Sequence, residues 1–240
     1  MAVSRFYFPD PLPHAGEVAF PAPAAHHALK VLRLAPGDPV ALFDGSGGEL
    51  RAVFDVRGRK AYAMDGQWVA ADRESPLALV LAQALVSADK MDWAIQKAVE
   101  LGAVGIIPLR AARSVLRLDG ERADKKREHW LQVVIAACEQ CGRNRLPFVA
   151  PAQRLADYLD ARDEAMRLIL VPGGARLATI RPGATPVHLL VGPEGGWSED
   201  EQALCLRAGC RAVGLGPRIL RAETAGLAAI AALQAGAGDF

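Results

Sequence analysis

Residues 188–201 read HLLVGPEGGWSEDE, and this stretch decides the fold class. His188 to Val191 is a short, mostly apolar run that is typical of a buried strand. Residues 198–201 match the S-x-x-E capping box, so we expect a helix to begin directly after the glycine-rich loop. A strand, a loop and a helix in this order indicate an α/β fold, in which ligands bind beyond the carboxyl ends of the strands.

A second glycine-rich turn, GLGPRILRAET at residues 214–224, also leaves a predicted strand and enters a predicted helix. Glycines let a ligand approach the backbone closely, although an ordinary turn accounts equally well for the shape of both loops. Arg221 stands at the expected helix start, where the helix macrodipole disfavours a cation. A solvated surface position is the commoner fate of an arginine, but this placement favours contact with a ligand or substrate.

The same alternation of strands and helices extends from residue 73 to residue 240. Further strands are predicted at 77–86, 104–109, 168–171 and 211–215. Helices are predicted from a cap at Asp89 to Leu101, at 122–142, and around 227–233. Together they indicate a mainly parallel sheet that is covered on both faces.

Residues 1–72 have a different character. A short helix is predicted at 24–34, and strands at 40–43, 50–56 and 61–64, with the turn DGSGG at 44–48 between the first two strands. Several short strands in about 70 residues indicate a small β-barrel domain. The polar linker DRESP at 72–76 separates it from the α/β domain.

The composition narrows the classes of function. The chain has 240 residues, 51% hydrophobic residues and a net charge of +1, so it can form packed cores, and any basic surface is local. There is no charged and apolar leader and no run of 18 apolar residues, so we expect a cytoplasmic protein without a membrane partner. Cys138 and Cys141 form C-x-x-C inside a predicted helix, which favours a structural role over zinc or redox chemistry, and we expect no metal.

A third element, ACEQCGRNRLP at 137–147, closes the long predicted helix. Glu139 and Arg143 are four residues apart and share a helix face if the helix continues that far. Between residues 110 and 145 there are nine Lys and Arg against five Asp and Glu. Contact with an RNA backbone requires such an excess, and a solvated helix face produces the same count.

These three elements resemble the ribosomal RNA small-subunit methyltransferase E family, which belongs to the SPOUT class. RESP at 73–76 and KMDWAIQKAVELG at 90–102 are similar to the family's motifs, as are RFYF at 5–8 and LFDG at 42–45. The resemblance therefore covers nearly the whole chain. Two residues depart from the family's pattern, Trp197 in place of a smaller apolar residue and Ala222 in place of threonine.

The resemblance implies a PUA-like barrel, at 1–72, followed by a SPOUT α/β domain, at 73–240, with a trefoil knot at its carboxyl end. It implies a homodimer that transfers a methyl group from S-adenosylmethionine to N3 of a uridine in small-subunit ribosomal RNA. The substrate is either the naked RNA or the assembled subunit. The knot rests wholly on the resemblance, since knotted chains are rare.

The resemblance also suggests roles for individual residues. The expected cofactor-binding residues are Leu190, Gly192, Glu194, Gly195, Gly196, Leu215, Gly216, Arg218, Ile219, Leu220 and Thr224. The N3 proton must leave, so Arg221 is expected to stabilise the uracil anion, Glu139 to accept the proton, or water to act as the base. The expected RNA contacts are Arg5, Arg33, Arg143 and Arg145.

The competing interpretation is a non-catalytic RNA-binding or ribosome-assembly module on the same fold. The two glycine-rich loops favour the enzyme, because a chain that had lost its cofactor would have no reason to retain both. A nucleotide-dependent enzyme is disfavoured, because neither G-x-x-x-x-G-K-[ST] nor G-x-G-x-x-G occurs.

Overall fold

The computed structural model describes residues 3–161 and 164–240. The chain divides into two units. The first contains the residues up to Glu74 together with Cys138–Leu146, and the second contains Ser75–Ala137 and Pro147–Phe240. The proposed functional boundary between residues 72 and 73 stays a prediction.

The first unit is built on a five-stranded mixed sheet. Its elements are β1 (Ser4–Tyr7), β2 (Ala15–Ala19), α1 (Ala22–His26), a π-helical turn (His27–Val31), β3 (Pro39–Phe43), β4 (Glu49–Arg57) and β5 (Lys60–Val69). The strand order is β1-β3-β4-β5-β2, in which β1 pairs with β3 in parallel and the other pairs are antiparallel. The predicted strands β3, β4 and β5 are confirmed, whereas β1 and β2 were not predicted.

Side-chain alternation explains how this sheet forms its core. Along β4, Leu50, Ala52 and Phe54 are buried while their neighbours are more exposed, which is the period of two expected for a strand with one covered face. Phe20 packs edge-on against Phe6, Phe8 and Phe54, with ring centroids 5.0–5.5 Å apart. Aromatic pairs in this geometry give the small unit a dense centre.

The second unit contains the predicted α/β domain. Its elements are β6 (Leu79–Ala84), α2 (Ala88–Glu100), β7 (Ala103–Arg110), α3 (Glu121–Cys141), β8 (Phe148–Val149), β9 (Gln153–Arg154), α4 (Leu155–Asp160), β10 (Met166–Arg176), a 3₁₀ turn (Leu177–Thr179), β11 (Val187–Val191), α5 (Glu199–Arg207), β12 (Arg211–Gly214) and α6 (Ala222–Ala237). The last four residues of α3, from Cys138, belong to the first unit.

All strand pairs of this second sheet are parallel. Their order is β12-β10-β11-β6-β7-β8, and β9 also pairs with β7. All six residues of β6 are buried, as the unbroken apolar run predicted. The predicted cap of α2 at Asp89 is wrong: Ser87 is the extended residue before the helix, and Asp89 lies in the first turn.

Strand ends on one edge of the sheet position the site. β10, β11 and β12 are neighbours and run in the same direction, so the segments that follow them meet at one edge. The register of β10 against β12 shifts between Leu170 and Ala175, which leaves residues 171–174 as a bulge at that edge. In the described part of the chain, no helix is long and apolar enough to span a bilayer.

Candidate functional site

A cavity of about 630 Å³ lies at the carboxyl ends of β10, β11 and β12. Both glycine-rich loops line it. The predicted residues that border the cavity are Gly192, Glu194, Gly196, Leu215, Gly216, Arg218, Ile219, Leu220 and Arg221. The two loops lie 18 or more residues apart in sequence, and the parallel sheet brings them together because their strands share β10 as a neighbour.

Three predicted residues do not line the cavity. Leu190 is fully buried inside β11, where it packs in the apolar core. A Cβ at Gly195 would approach Cβ of Arg113 to 3.1 Å, so this glycine faces the segment after β7. Thr224 is exposed on α6, and its backbone amide donates to the carbonyl of Arg221 at 3.0 Å. The expected cofactor contacts of Leu190, Gly195 and Thr224 stay predictions, and the lining of the cavity does not support them.

Several cavity residues were not predicted. Leu170, Val171 and Pro172 come from β10 at the start of its bulge, Lys90 from α2, Trp197 and Glu223 from the two loop segments, and Gln202 from α5. The sequence carries no local signal for the β10 residues, because their place at the cavity depends on strand pairing. Glu223 lies inside a quoted motif and could have been selected as a charged residue beside an arginine.

The capping box after the first loop fixes the shape of that loop. The amide of Glu201 donates to Oγ of Ser198 at 3.2 Å, and the amide of Ser198 donates to Oε2 of Glu201 at 2.9 Å. The other oxygen of Glu201 accepts from the amide of Ala112 at 2.7 Å. One carboxylate therefore ties the start of α5, as the capping box predicted, to the segment that follows β7.

The segment after β7 also holds the loop itself. Nη1 of Arg113 donates to the carbonyl of Gly195 at 2.9 Å. On the inner side, the indole of Trp197 lies against Gly192, where a Cβ would be 3.2 Å from Nε1. Gly196 has a φ of +69°, which L side chains rarely adopt, and its amide donates to the carbonyl of Pro193 at 2.8 Å. The loop is held from both sides.

Glu194 forms an ion pair at the cavity wall. Its Oε1 accepts from the amide of Ser87 and from Nζ of Lys90, both at 3.2 Å. Burial alone would raise the pKa of Glu194, but its own backbone amide, Ser87 and Lys90 outweigh burial and lower the pKa. The carboxylate is therefore ionised and already paired with Lys90 at neutral pH.

The second loop is more open. Gly216 has a φ of +100°, and the side chain of Ile219 is 86% exposed. Arg221 is the residue before α6, has an extended backbone and forms no side-chain cap. Among the residues that the structure describes, its guanidinium has no hydrogen bond or ion pair. An apolar residue exposed to this degree and an unpaired arginine at a cavity are both consistent with a ligand-binding loop.

The third predicted element lies in the first unit, around the buried Glu49. Its carboxylate accepts from Arg5 at 2.6 Å, Arg51 at 3.0 Å and Arg73 at 3.2 Å. Burial alone would raise the pKa of Glu49, but these guanidinium groups outweigh it and lower the pKa to about 2. Asn144 joins the same cluster by accepting from Arg5 and donating to the carbonyl of Ala71 at 2.8 Å.

The four arginines expected to bind RNA fall into two groups. Arg143 is buried and paired with Glu74, and Arg5 is paired with Glu49 and has only 10% of its side chain exposed. Arg33 is exposed, with a φ of +56°, and Arg145 is exposed while Nη1 donates to the carbonyl of Ser46 at 2.7 Å. Only the second group presents a side chain to a phosphate. The expected RNA contacts of Arg5 and Arg143 stay untested, and their buried pairing weighs against them.

Glu139 does not line the cavity. It is half-buried on α3, and its Oε1 accepts from the amide of Tyr7 at 2.9 Å. Burial raises the pKa of Glu139, although the Tyr7 amide and nearby His27 and Arg5 oppose this. A raised pKa suits a proton acceptor, but the contact partners of this carboxylate all lie in the first unit.

The cysteines give no sign of a metal centre. Within the described ranges, no three His, Cys, Asp or Glu side chains are grouped as metal ligands. Burial raises the pKa of the Cys138 thiol to about 12, so this sulfur stays protonated and inert at neutral pH.

The chain matches family models and solved structures over most of its length. Residues 73–234 match the model described as an RNA methyltransferase domain, and residues 20–61 match the RNA methyltransferase PUA domain. The ribosomal RNA small subunit methyltransferase E of Bacillus subtilis is 34% identical over 220 residues, which are 87% of this chain and 86% of that protein. The chain belongs to the ribosomal RNA small subunit methyltransferase E family.

Solved structures of methyltransferases have the same fold. The family member from Neisseria gonorrhoeae, bound to S-adenosylmethionine, is 42% identical, with a TM-score of 0.93 over 100% of both chains. A putative methyltransferase from Legionella pneumophila, also in complex with S-adenosylmethionine, is 33% identical, with a TM-score of 0.91 over 100% of both chains. The predicted α/β domain with a parallel sheet, preceded in the sequence by a PUA-like domain, is thereby confirmed, and the SPOUT class stays what the resemblance implies. The trefoil knot stays a prediction.

Proposed function

We propose that this protein transfers a methyl group from S-adenosylmethionine to N3 of a uridine in small-subunit ribosomal RNA. The observation that carries the proposal is the cavity formed where two glycine-rich loops meet at the carboxyl ends of neighbouring parallel strands. The family to which the chain belongs, and the bound cofactor in the Neisseria gonorrhoeae structure, support it.

The residues of the cavity fit this cofactor. Its volume of about 630 Å³ lies in the range of small-molecule sites. At Gly196 and Gly216 a Cβ would meet no described atom within 4 Å, so the space over both glycines is open to a ligand. Nε1 of Trp197 and Oε2 of Glu223 are buried polar atoms that lack a hydrogen-bond partner in the described chain. Apolar walls from Leu170 and Leu215 suit an adenine ring.

The chemistry assigned to the chain concerns the uracil rather than the methyl donor. The cofactor, when bound, supplies an electrophilic methyl group on a sulfonium. Loss of the N3 proton places negative charge on the uracil carbonyl oxygens, and a guanidinium can stabilise that charge. Arg221 is our choice for this role, because it borders the cavity with an unpaired side chain. The interaction grows as charge develops, so it accelerates the reaction rather than only binding the substrate.

Glu139 and water are the two candidates for the acceptor of the N3 proton. Burial raises the pKa of Glu139, which makes its carboxylate a better proton acceptor than an ordinary glutamate. Against this assignment, Glu139 already accepts from the Tyr7 amide and does not line the cavity. Water is therefore the preferred acceptor within one chain.

RNA binding is assigned to exposed arginines of the first unit, Arg33 and Arg145. We assign Arg5 and Arg143 a different role. Both side chains are held in buried ion pairs, so they position the segment 142–146 against β4 and the segment 71–74 within that unit. This division keeps the proposal of RNA binding by the region 1–72 and methyl transfer by the region 73–240, except that Arg145, which belongs to the first unit, joins the RNA-binding residues.

The assembly and the location are also proposals. The resemblance implies a homodimer that acts on ribosomal RNA or on the assembled small subunit, and we propose a cytoplasmic location with it. Light scattering of the purified protein should give twice the chain mass of 25.5 kDa. A mass of one chain at working concentration would overturn the dimer and leave the catalytic proposal standing.

The test of the function is the chemical identity of the product. Purified protein, S-adenosylmethionine with an isotopically labelled methyl group and small subunits isolated from cells lacking the protein are incubated together. The ribosomal RNA is then digested to nucleosides for chromatography and mass spectrometry. We expect label in 3-methyluridine. Label in 5-methyluridine or in a ribose-methylated nucleoside would overturn the N3 assignment, and no label in either naked RNA or subunits would overturn the proposal as a whole.

A further inference from the structure

Glu223 is an acidic residue of the cavity with an unmet hydrogen-bond requirement. It is the second residue of α6 and lines the cavity. Its Oε2 is buried from water, and no donor reaches it among residues 3–161 and 164–240. A buried carboxylate oxygen without a donor is energetically unfavourable, so such an atom at a cavity points to a donor that the ligand supplies.

The other charges around the cavity do not satisfy this oxygen. Glu194 and Lys90 form their own ion pair at 3.2 Å. Arg218 and Arg221 line the same cavity, and neither is paired with Glu223 within the described chain. Glu223 is thus a carboxylate of the cavity wall with no ion-pair partner among the residues that the structure describes.

We propose that Glu223 is a cofactor-recognition residue whose carboxylate accepts a hydrogen bond from a donor group of the cofactor. This inference rests on the function proposed above. The carboxylate has only acceptor sites when ionised, so the ligand atom must carry a proton.

Three parts of the cofactor carry suitable protons. They are the ribose hydroxyls, the amino group of the adenine ring and the α-ammonium of the methionine part. Each can donate to a carboxylate in a charge-assisted hydrogen bond. The inference is that one of these groups binds Glu223, and two ligands separate the adenosine groups from the ammonium. S-adenosylhomocysteine has all three groups, whereas 5′-methylthioadenosine has the two adenosine groups and lacks the ammonium.

The experiment is calorimetric titration of both ligands into the full-length protein and the variant Glu223→Gln. Loss of one charge-assisted hydrogen bond should weaken affinity roughly tenfold to a hundredfold. A loss for both ligands assigns a donor of the adenosine part, and a loss for S-adenosylhomocysteine alone assigns the ammonium. Asp200→Asn is the matched control, because Asp200 holds the same position in α5 and does not line the cavity.

Two results would overturn the inference. If Glu223→Gln binds both ligands with wild-type affinity, Glu223 does not recognise the cofactor, and the proposed function is unaffected. If the wild-type protein binds neither ligand, the inference and the proposed function both fail. Thermal unfolding without ligand distinguishes a role in cofactor binding from a role in stability. We expect Glu223→Gln to melt within about 2 °C of wild type, since Oε2 has no hydrogen-bond partner among the described residues.

Discussion

The guanidinium of Arg221 borders the cavity and has no ion-pair partner among the described residues. Its position before α6 runs against the helix macrodipole, and residues placed against local preference are often part of a site. The sequence was sufficient to select Arg221, because the conflict between residue type and helix start can be read locally. The sequence was not sufficient to show that Arg143 is held in an ion pair, because its partner Glu74 lies 69 residues away.

Removal of the Arg221 side chain should slow catalysis more than binding. Arg221→Ala is expected to lower the single-turnover rate of methylation by roughly a hundredfold, the scale for loss of one charge-stabilising donor, with little change in cofactor affinity. Rates are measured at saturating RNA and cofactor, with Arg211→Ala, an exposed arginine on β12, as the control. A normal rate for Arg221→Ala would remove this residue from the mechanism.

The two glycines Gly195 and Gly216 should respond differently to the same substitution. Gly195→Val is expected to weaken cofactor binding by pushing against Cβ of Arg113, 3.1 Å from the new Cβ, so the second change Arg113→Gly should restore part of the affinity. Gly216→Val fills open cavity space at a φ of +100°, and Arg113→Gly should not help it. Equal rescue of both variants in calorimetry would contradict this reading of the loop.

Substitution of the exposed Arg33 should affect RNA binding, whereas substitution of the buried Arg143 should affect stability. Arg33→Asn keeps a residue type that tolerates the positive φ and removes the charge, so it should weaken RNA binding and lower the salt dependence of the affinity. Arg143→Ala leaves Glu74 buried without its cation and should lower the free energy of unfolding by about 3 kcal/mol or more. Titrations at several salt concentrations and chemical denaturation separate the two effects. Unchanged stability of Arg143→Ala would show that its ion pair does not position the segment 142–146.

At the scale of elements, the capping box of α5 connects a sequence motif to the cavity. Ser198→Ala should lower the free energy of unfolding by about 1 kcal/mol, the usual value for a lost cap. Glu201→Ala should lower it further, because the amides of both Ser198 and Ala112 lose their acceptor. Glu199→Ala on the same first turn is the control. Chemical denaturation in which Glu201→Ala is more stable than Ser198→Ala would contradict the role of Glu201 as a tie between two segments.

The Glu49 cluster should give the first unit an acid-sensitive stability. The folded pKa of about 2 lies below the ordinary value of 4.5, so the ionised carboxylate stabilises the fold above pH 4.5, and this contribution is lost as pH falls from 4.5 toward 2. A shift of this size corresponds to about 3 kcal/mol at neutral pH. Glu49→Gln should therefore be less stable than wild type at pH 7, and the difference should shrink by about 1 kcal/mol between pH 5 and pH 3.5.

A surface pair provides the comparison for that measurement. Glu17 and Arg57 form an ion pair at 2.9 Å with both side chains largely exposed, so Glu17→Gln should change the unfolding free energy by less than about 1 kcal/mol at any of these pH values. A pH-independent difference for Glu49→Gln would mean that the carboxylate contributes by packing rather than by charge.

For the whole molecule, the order of strands and helices could be predicted, because each long element has its own apolar period. The strands β8 and β9 were missed, since each has only two residues and no period. The cavity wall from β10 was missed for another reason. Leu170, Val171 and Pro172 reach the cavity through pairing with β11 and β12, and such pairing leaves no local pattern.

Charge counts were the weakest guide at this scale. The local excess of Lys and Arg between residues 110 and 145 suggested an RNA surface, but a charge count does not show which side chains are buried: Arg143 is buried and pairs with Glu74, which lies outside the counted segment. The motifs were a stronger guide, because a glycine loop followed by a capping box specifies backbone geometry directly.

The central claim is that this cavity binds S-adenosylmethionine, and calorimetry with S-adenosylmethionine and ATP on the unmodified protein tests it most directly. Both ligands carry adenosine, but only the first has the sulfonium and amino-acid part, and the chain has no phosphate-binding loop of the G-x-x-x-x-G-K-[ST] type. The result we predict is saturable binding of S-adenosylmethionine and no measurable binding of ATP at the same concentrations. Binding of ATP alone, or of neither ligand, would contradict the claim.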